Sequence, residues 1–385
     1  MTLTTGIERL RIRNYRVLRD VELDGLTPVT ALLGPNGSGK STMFDALDFL
    51  SESLRVGLRS AWDRRGGTSD IVTHGATGPV EIELTCRIEG AVGAYRLAIE
   101  YDDDEPVVAE EKLTWQPEGA ETPFDALHFR RGDGGFANAG AWELLELAAP
   151  DLLGLGVVSQ LAGKVEVGRF RRFIGQIVLA DLNLDAMRKG SRESRTVWLR
   201  PNGENLGSVV RLFSLELPQE WENIRASLRK YVPGLEDIES FQQGDGSWIV
   251  RLREQGKEEL VGPENISDGT LLLLGYLLAL RTYASVLLIE EPENQVHPRL
   301  HYSLAEDARG ARADQVIVAT HAPRFVDALR PDEVWTFARG NDGNAQAKRA
   351  SDEAPIVRMV ESGGALGDLW TEGYFRFGDP LGERP

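Results

Sequence analysis

The chain of 385 residues contains a single cysteine and no long apolar segment. Cys86 therefore cannot form an internal disulfide, and one cysteine cannot build a CxxC zinc site. The longest apolar run, residues 271–280, is far shorter than the roughly 18 residues that span a bilayer. The first residues also lack the continuous apolar stretch of a signal peptide. We therefore expect a protein of the reducing cytoplasm without membrane contact, in which Cys86 is a small apolar residue of a strand.

Positive charge is scarce as well. The chain carries 43 Lys and Arg against 60 Asp and Glu, a formal net charge of −17. This balance argues against a protein coated in positive charge, such as a histone-like DNA binder, although it leaves room for a local basic groove. A hydrophobic content of 42% excludes a mainly disordered chain. The length predicts two to three domains, or one large α/β domain that carries an insertion.

Periodicity predicts α/β segments near both ends of the chain. Alternating residues over 7–12 and an apolar run over 29–33 predict two strands around a turn at Asp24 and Gly25, followed by a helix over 41–58. The C-terminal pattern predicts helices and strands in alternation, over 268–283, 286–289, 299–308, 316–319 and 323–329. Such alternation is typical of a parallel sheet with crossover helices.

The segment between these ends has a different pattern. Strands that alternate apolar and polar residues are predicted over 79–87, 95–101 and 112–116, which indicates an antiparallel sheet. Residues 102–105 form an acidic turn, and residues 117–165 are interpreted as mainly loop. Later elements are predicted as a strand over 177–179, helices over 205–215 and 218–231, and a hairpin over 241–253.

A glycine-rich segment lies between the strand at 29–33 and the helix at 41–58. It matches G-x-x-x-x-G-K-[ST] with the residues Gly34, Pro35, Asn36, Gly37, Ser38, Gly39, Lys40, Ser41 and Thr42. Glycines let the backbone curl so that N–H groups point at phosphate oxygens, and the helix that follows adds its positive end. Lys40 is predicted to reach the β- and γ-phosphates, and the Ser41 hydroxyl to ligate Mg²⁺. The segment therefore predicts a nucleoside triphosphate site.

Two carboxylates end the strand predicted over 286–289. Acids in this place hold metal and orient water in phosphate-loop enzymes, so we assign Glu290 to the Mg²⁺ shell and Glu291 to polarising the attacking water. His321 ends the next strand, where its imidazole could contact the γ-phosphate or the water; the alternative is a cap for the next helix. Ser267 opens a leucine-rich helix, either as a plain N-cap or as part of an anion site.

The order of these motifs resembles the ABC-type ATPases, and more narrowly the SMC/RecF/OLD branch, whose heads are split by an insertion. Within that branch the chain resembles the stand-alone AAA-21 ATPases, which carry no Toprim nuclease domain. The segments that carry the resemblance are I-S-D-G-T-L at 266–271, E-E-P-E-N-Q-V-H-P at 290–298, A-T-H-A-P at 319–323 and L-G-D-L-W at 366–370.

The resemblance implies an α/β fold: a P-loop NTPase head of the ABC/SMC type with a mixed parallel core sheet, an antiparallel β-subdomain and a helical insert. It divides the chain into the N-terminal half of the head (1–78), the inserted β-subdomain and helical region (79–262), the C-terminal half (263–340) and a tail (341–385).

The resemblance also implies a mechanism. Two heads form an ATP-dependent homodimer around ATP and Mg²⁺, and the signature residues Ser267, Asp268 and Gly269 of one head close on the nucleotide of the other. The loop over 292–296 crosses the dimer interface, Glu291, His321 and Lys40 are catalytic, and His321 is the switch histidine. By position, Arg13 and Asn14 are candidates for contacts with adenine and ribose.

The chain departs from the family pattern in several places. Glu290 stands where many ABC ATPases have Asp, and Leu272 stands where the family often has Arg. No obvious Q-loop glutamine follows the first helix; His74 lies near the expected place and could equally be a loop histidine. The 64 residues after His321 lack a convincing acidic nuclease constellation, so we do not predict nuclease activity.

Three groups of basic residues remain: Arg55, Arg59, Arg64 and Arg65; Arg188, Lys189, Arg192, Arg195 and Arg200; and Arg169, Arg171 and Arg172. They could form a nucleic-acid groove or pair with the excess acids. Three roles stay open: an ATPase in DNA metabolism, repair or defence against phage; a regulatory ATPase subunit of a separate effector protein, such as a nuclease or toxin; and, least favoured, a transporter ATPase subunit.

Overall fold

The computed structural model describes residues 3–192 and 197–377. Arg195, which belongs to the second basic group, lies outside them. In the described ranges, no helix combines the length and apolar composition that a bilayer span would require.

Strands and helices are numbered in chain order. The chain begins with β1 (Gly6–Tyr15), β2 (Leu18–Asp24), β3 (Val29–Leu33), α1 (Lys40–Val56), α2 (Leu58–Asp63), α3 (Thr68–Ile71), β4 (Val80–Ile88), β5 (Ala91–Asp102) and β6 (Glu105–Gln116). It continues with β7 (Phe124–Arg130), β8 (Asp133–Asn138), β9 (Ala141–Glu146), α4 (Gly154–Val158), α5 (Val165–Gly175), β10 (Ile177–Ala180), α6 (Leu184–Arg188), α7 (Leu206–Glu216), α8 (Pro218–Tyr231), β11 (Leu235–Gln242) and β12 (Trp248–Glu254). It ends with α9 (Asp268–Ala279), β13 (Val286–Glu290), α10 (Pro298–Arg309), β14 (Val316–Thr320), α11 (Pro323–Val326), β15 (Val334–Arg339), β16 (Ala345–Arg349), α12 (Ala354–Glu361) and α13 (Leu366–Thr371).

The chain divides into two compact units. Unit one comprises Met1–Ile177, Arg330–Gly364 and Leu369–Pro385, and unit two comprises Val178–Leu329 and Ala365–Asp368. The division into four segments that the family resemblance implies stays a prediction.

Unit one contains an eight-stranded antiparallel sheet in the order β2-β1-β4-β5-β6-β7-β8-β9. The predicted alternating strands are β4, β5 and β6, and the turn at Asp24 and Gly25 ends β2, a strand that the sequence patterns missed. Cys86 is fully buried in β4, as predicted, and burial raises the pKa of its thiol.

The interpretation of residues 117–165 as mainly loop is wrong, because β7, β8, β9, α4 and the start of α5 lie there. The sequence pattern missed these strands because the close approach of neighbouring backbones requires glycine in β8. A Cβ at Gly134 would lie 2.1 Å from the carbonyl oxygen of His128, and a Cβ at Gly135 would lie 2.1 Å from that of Glu143. Strand β8 therefore needs glycine where a strand pattern expects apolar side chains, and β9 is largely exposed.

A second set of strands in unit one positions the glycine-rich segment. Strand β3, fully buried, pairs in parallel with β15, which pairs antiparallel with β16. The chain leaves β3 at Leu33 and re-enters regular structure at the start of α1, whose apolar face buries Met43, Phe44 and Leu47. The strand–loop–helix order predicted from the sequence is confirmed.

In unit two, β13 and β14 are parallel, with Leu287 opposite Val316 and Glu290 opposite Ala319, and β10 is the other neighbour of β13. The predicted helices α7, α8, α9 and α10 and the hairpin of β11 and β12 are present. Helix α9 is leucine-rich and buried on nearly all sides, and it ends at Ala279, four residues before the predicted end.

Candidate functional site

The phosphate loop of unit one encloses the Lys40 side chain. Lys40 is 5% exposed, and its ammonium Nζ donates hydrogen bonds to the carbonyl oxygens of Gly34 (2.6 Å) and Pro35 (3.0 Å). A lysine held in this way keeps its positive charge inside the curl of the loop. A phosphate group entering the loop would meet that charge directly.

The start of α1 fits an anion. Its N-cap is Gly39, which has φ +111° and no side chain, so no side-chain cap occupies the first N–H groups of the helix. Beside it, the Ser38 hydroxyl oxygen is buried and has no hydrogen-bond partner among the described residues. The backbone N–H groups of a helix start and an orphaned hydroxyl are donors that a phosphate satisfies, so the residues present fit the predicted nucleotide.

Two glycines of the loop are required because atoms of neighbouring strands lie very close to their backbone. A Cβ at Gly34 would lie 2.4 Å from the carbonyl oxygen of Phe337 on β15, and a Cβ at Gly39 would lie 2.7 Å from Cβ of Ala345. Arg339 also holds the loop, since its Nε donates to the carbonyl oxygen of Gly37 at 2.5 Å. The neighbouring strands therefore fix the path of the loop.

Arg13 and Asn14 lie at the end of β1, and both side chains contact the sheet of unit one. The guanidinium of Arg13 pairs with Glu81 at 2.8 Å, and the Asn14 amide donates to the carbonyl oxygen of Pro79 at 2.8 Å. Asn14 has a left-handed backbone, with φ +58°. Their assignment to adenine and ribose stays a prediction.

The signature residues of unit two lie at the start of α9. The Ser267 hydroxyl accepts a hydrogen bond from the Thr270 N–H at 3.2 Å and is therefore the N-cap. Asp268 pairs with Arg188 at 2.6 Å. A Cβ at Gly269 would lie 2.4 Å from the carbonyl oxygen of Gln295, so only glycine lets the helix start contact the loop after β13.

Glu291 and His321 meet at the ends of β13 and β14. Nδ1 of His321 lies 3.4 Å from Oε1 of Glu291, and the Asn294 amide donates to Oε2 of Glu291 at 2.7 Å. The Glu291 backbone is left-handed, with φ +43°, and its N–H donates to the carbonyl oxygen of Ala319 at 2.8 Å. A strained backbone held by neighbouring strands is common where a side chain must be aimed.

Glu293 is a residue of the site that the sequence analysis missed. It is 5% exposed, and its Oε1 accepts hydrogen bonds from the Thr320 hydroxyl at 2.7 Å and from the His321 N–H at 3.0 Å. Its Oε2 is buried with no hydrogen-bond partner in the described part of the chain. The available signal was its place in the segment E-E-P-E-N.

Asp181 and Asn183 were also missed. They follow β10, and together with Glu290 and Glu291 they line a cavity of about 620 Å³ in unit two. Asn183 also caps α6, since its side-chain oxygen accepts from the Ala186 N–H at 2.9 Å. The sequence predicted the strand but not its position beside β13.

The first basic group is neutralised within unit one. Arg65 pairs with Asp45 and Asp48 at 2.9 and 2.8 Å, and Arg64 pairs with Glu52 at 2.6 Å. The remaining two arginines of the group, Arg55 and Arg59, also have acidic partners: Asp48 and Glu105. In the second group, Arg188 holds Asp268 and Arg200 pairs with Glu204. These contacts favour a structural role for the first group.

Two family models and a curated relative match parts of this chain. The family described as "AAA domain, putative AbiEii toxin, Type IV TA system" matches residues 158–327, and the family described as "AAA domain" matches residues 9–113. An OLD nuclease of Thermus scotoductus (strain ATCC 700910 / SA-01) is 43% identical over 54 residues. The chain is similar to SMC/RecF/OLD-like ATPases. The match covers 14% of this chain and 10% of the OLD nuclease. The nuclease activity in that name therefore applies only to the relative.

Solved SMC head domains are similar to this chain at low identity. A head bound to the C-winged helix domain of ScpA is 14% identical, with a TM-score of 0.49, over 89% of this chain and 97% of that one. The head from Thermotoga maritima is 15% identical, with a TM-score of 0.42, over 89% and 98%. The resemblance to these ATPases rests on the sequence matches. The mixed α/β fold with parallel and antiparallel strands is confirmed, and the chain is a P-loop NTPase with a nucleotide-binding loop.

Proposed function

We propose that this ATPase hydrolyses ATP with Mg²⁺ and that ATP joins two copies head to tail. The observation that carries the proposal is the phosphate loop. It combines a buried Lys40, an uncapped start of α1 and the orphaned hydroxyl of Ser38. These groups favour a chain of phosphates, and the resemblance to ABC-type ATPases supports ATP as the ligand.

Ser41 and Glu290 are the residues that would hold magnesium. A serine hydroxyl at the first turn of the helix and a carboxylate at the end of a buried strand are hard oxygen ligands. Magnesium, when bound, neutralises charge on the β- and γ-phosphates. Lys40 adds a fixed positive charge to the same phosphates.

Glu291 accepts the proton of the attacking water in this proposal. Asn294 holds one carboxylate oxygen, which leaves the other, Oε1, toward His321. His321 then positions the water or the γ-phosphate. Asp181 and Asn183 line the cavity that contains Glu290 and Glu291, so we assign them the place of the missing Q-loop glutamine.

The signature residues act on the partner's nucleotide. Ser267, Asp268 and Gly269 lie at a helix N-terminus, which favours an anionic ligand. The close approach of Gly269 to Gln295 ties this helix start to the loop over 292–296, and the resemblance supports a position for that loop at the proposed dimer interface. Movement of one of these segments is therefore expected to move the other.

Two biological roles fit an ATPase of this kind. The first is a switch in DNA metabolism, repair or defence against phage, which the resemblance to the SMC/RecF/OLD branch favours. The second is a regulatory subunit that controls a separate nuclease or toxin, which the toxin–antitoxin description of the matching family favours. A transporter subunit is the least favoured, since the head is split by a large mixed insert.

The test is steady-state ATP hydrolysis with and without duplex DNA, together with light scattering for mass. Glu291→Gln should lower turnover by a factor on the order of 10² to 10⁴ and trap an ATP-bound dimer. Glu306→Gln is the matched control, because Glu306 is an exposed carboxylate of α10 paired with Arg309. A protein that stays monomeric with ATP and Mg²⁺ would contradict the proposed dimer, and equal turnover in the two variants would contradict the role of Glu291.

A further inference from the structure

The third basic group differs from the first in its surroundings. Between residues 161 and 176 the chain carries four cations and one acid, Glu166, in a protein with a net charge of −17. Lys164, Arg169 and Arg172 line a shallow cavity of about 350 Å³ in unit one, with Gly163 and Gly168 between them. None of the motifs of the nucleotide site contributes to it.

Lys164 is the most informative residue of this cavity. It is 8% exposed, and its ammonium lies over the ring of Phe136, 4.6 Å from the ring centre. Within the described ranges, no carboxylate lies within ion-pair distance of it. The ammonium therefore brings to the cavity a positive charge that no acidic side chain of the described residues neutralises, and an anionic ligand would be attracted to it.

The start of α5 adds backbone donors. Lys164 is the N-cap of this 11-residue helix, no side chain caps it, and its first helical hydrogen bond runs from the Gly168 N–H to the Lys164 carbonyl. The N–H groups of the first turn therefore face outward with the positive end of the helix dipole. A Cβ at Gly163 or Gly168 would meet no atom within 4 Å, so the backbone is open to a ligand there.

The acids nearby compensate this charge only weakly. Glu89 lies 3.6 Å from Arg169, and the two side chains are 68% and 44% exposed. Exposed pairs of this kind contribute little and are screened by salt. Arg172 makes no ion pair with another side chain of the described residues.

We propose that this cavity is a phosphate site that holds the backbone of a nucleic acid. Guanidinium groups match phosphate oxygens in pairs, and the helix start supplies neutral donors to the same anion. The cations from Lys164 to Arg172 extend about 12 Å along the helix axis. Phosphates of one duplex strand follow each other at about 3.4 Å, so the row can contact several of them. A single protein carboxylate would neutralise one of these cations, whereas successive phosphates of a strand can neutralise several.

The test measures the anisotropy of a short fluorescent DNA duplex, without nucleotide and over a series of salt concentrations. The double variant Arg169→Ala with Arg172→Ala should weaken binding and lower the salt slope by about 0.9 for each phosphate that is no longer neutralised. Arg169→Lys with Arg172→Lys keeps the charge and should retain most of the slope. Arg64→Ala is the control, because Arg64 is an exposed arginine paired with Glu52.

Three outcomes would overturn the proposal: no binding of the duplex by the native protein, equal binding by the native protein and the double variant, or equal competition by a polyglutamate peptide. The last would assign the cavity to an acidic protein surface. Because the measurement needs no ATP, its result is independent of the proposed hydrolysis. Thermal unfolding of each variant shows that the fold is retained.

Discussion

The carboxylate of Glu293 accepts a hydrogen bond from the backbone N–H of His321 at 3.0 Å. The same oxygen accepts the Thr320 hydroxyl, whose own oxygen accepts the Ala322 N–H at 3.0 Å. The loop after β13 is thereby tied to the end of β14. Glu293 holds the backbone of His321, and its Oε1 also lies 3.8 Å from the imidazole Nδ1 of that residue.

Replacing Glu293 should separate turnover from substrate binding. Glu293→Ala leaves two buried donors unsatisfied, which costs about 2 kcal/mol of unfolding free energy. It should also lower kcat with little change in KM, because His321 loses its position. Glu293→Gln retains an acceptor oxygen and should recover most of the turnover. A rise in KM as large as the fall in kcat, measured by steady-state hydrolysis, would count against a positioning role.

Gly269→Ala tests the contact between the signature and the loop over 292–296. The new Cβ would lie 2.4 Å from the Gln295 carbonyl oxygen, so the backbone must move. We expect hydrolysis to fall about 100-fold, since a displacement near 1 Å is enough for such a loss. Binding of ATP at the phosphate loop should persist. Gly310→Ala is the control, because its new Cβ meets its nearest atom, the Asp307 carbonyl oxygen, at 3.5 Å. Equal losses in both variants would mean that the contact has no special role.

Arg65→Ala should destabilise unit one strongly. The Arg65 side chain is 7% exposed and neutralises Asp45, Asp48 and Glu52. Its removal leaves a cluster of partly buried acids without a cation, at a cost of about 3–5 kcal/mol. Arg64→Ala should cost less than about 1 kcal/mol, since that side chain is exposed. Urea unfolding of both variants measures the difference, and similar midpoints would contradict the structural assignment of this group.

Glu111 makes stability depend on pH. Burial raises the pKa of this fully buried carboxyl to about 7, although the Tyr95 hydroxyl and the N–H groups of Gly154 and Leu155 hydrogen-bond to it. The folded pKa is above the unfolded value of 4.5, so the folded state binds more protons between the two. The stability that this group contributes is present below about pH 4.5 and is lost as the pH rises through about 7.

The Glu111→Gln variant removes this titration. Relative to the native protein, it should become more stable by about 3 kcal/mol as the pH rises from about 4.5 to above 7. Urea unfolding across that pH range measures the change. A constant difference between the two proteins would contradict the raised pKa. Glu306→Gln, at an exposed carboxylate of α10, is the control for the loss of one negative charge.

Part of this site was predictable because it is local in the chain. The phosphate loop is nine consecutive residues between a strand and a helix, and Glu290, Glu291 and His321 each end a short apolar strand. Glu293, Asp181 and Asn183 were not predictable in the same way. Their importance depends on which strands are neighbours, namely β13 with β14 and β10 with β13.

The sequence by itself determined the class of chemistry, the strand–loop–helix order at Gly34–Lys40 and most helices of unit two. Hydrophobic periodicity and glycine spacing extend over only a few residues, so they can be recognised in the sequence without knowledge of the fold. Only the tertiary structure decided which basic side chains are neutralised, since Arg65 pairs with acids on α1 while Lys164 has no acidic partner among the described residues. It also decided the strands between residues 124 and 146. Glycines are required there because backbone atoms of the neighbouring strands lie too close for a side chain. Pairing of charges and of strands depends on distance in space, which a linear pattern does not contain.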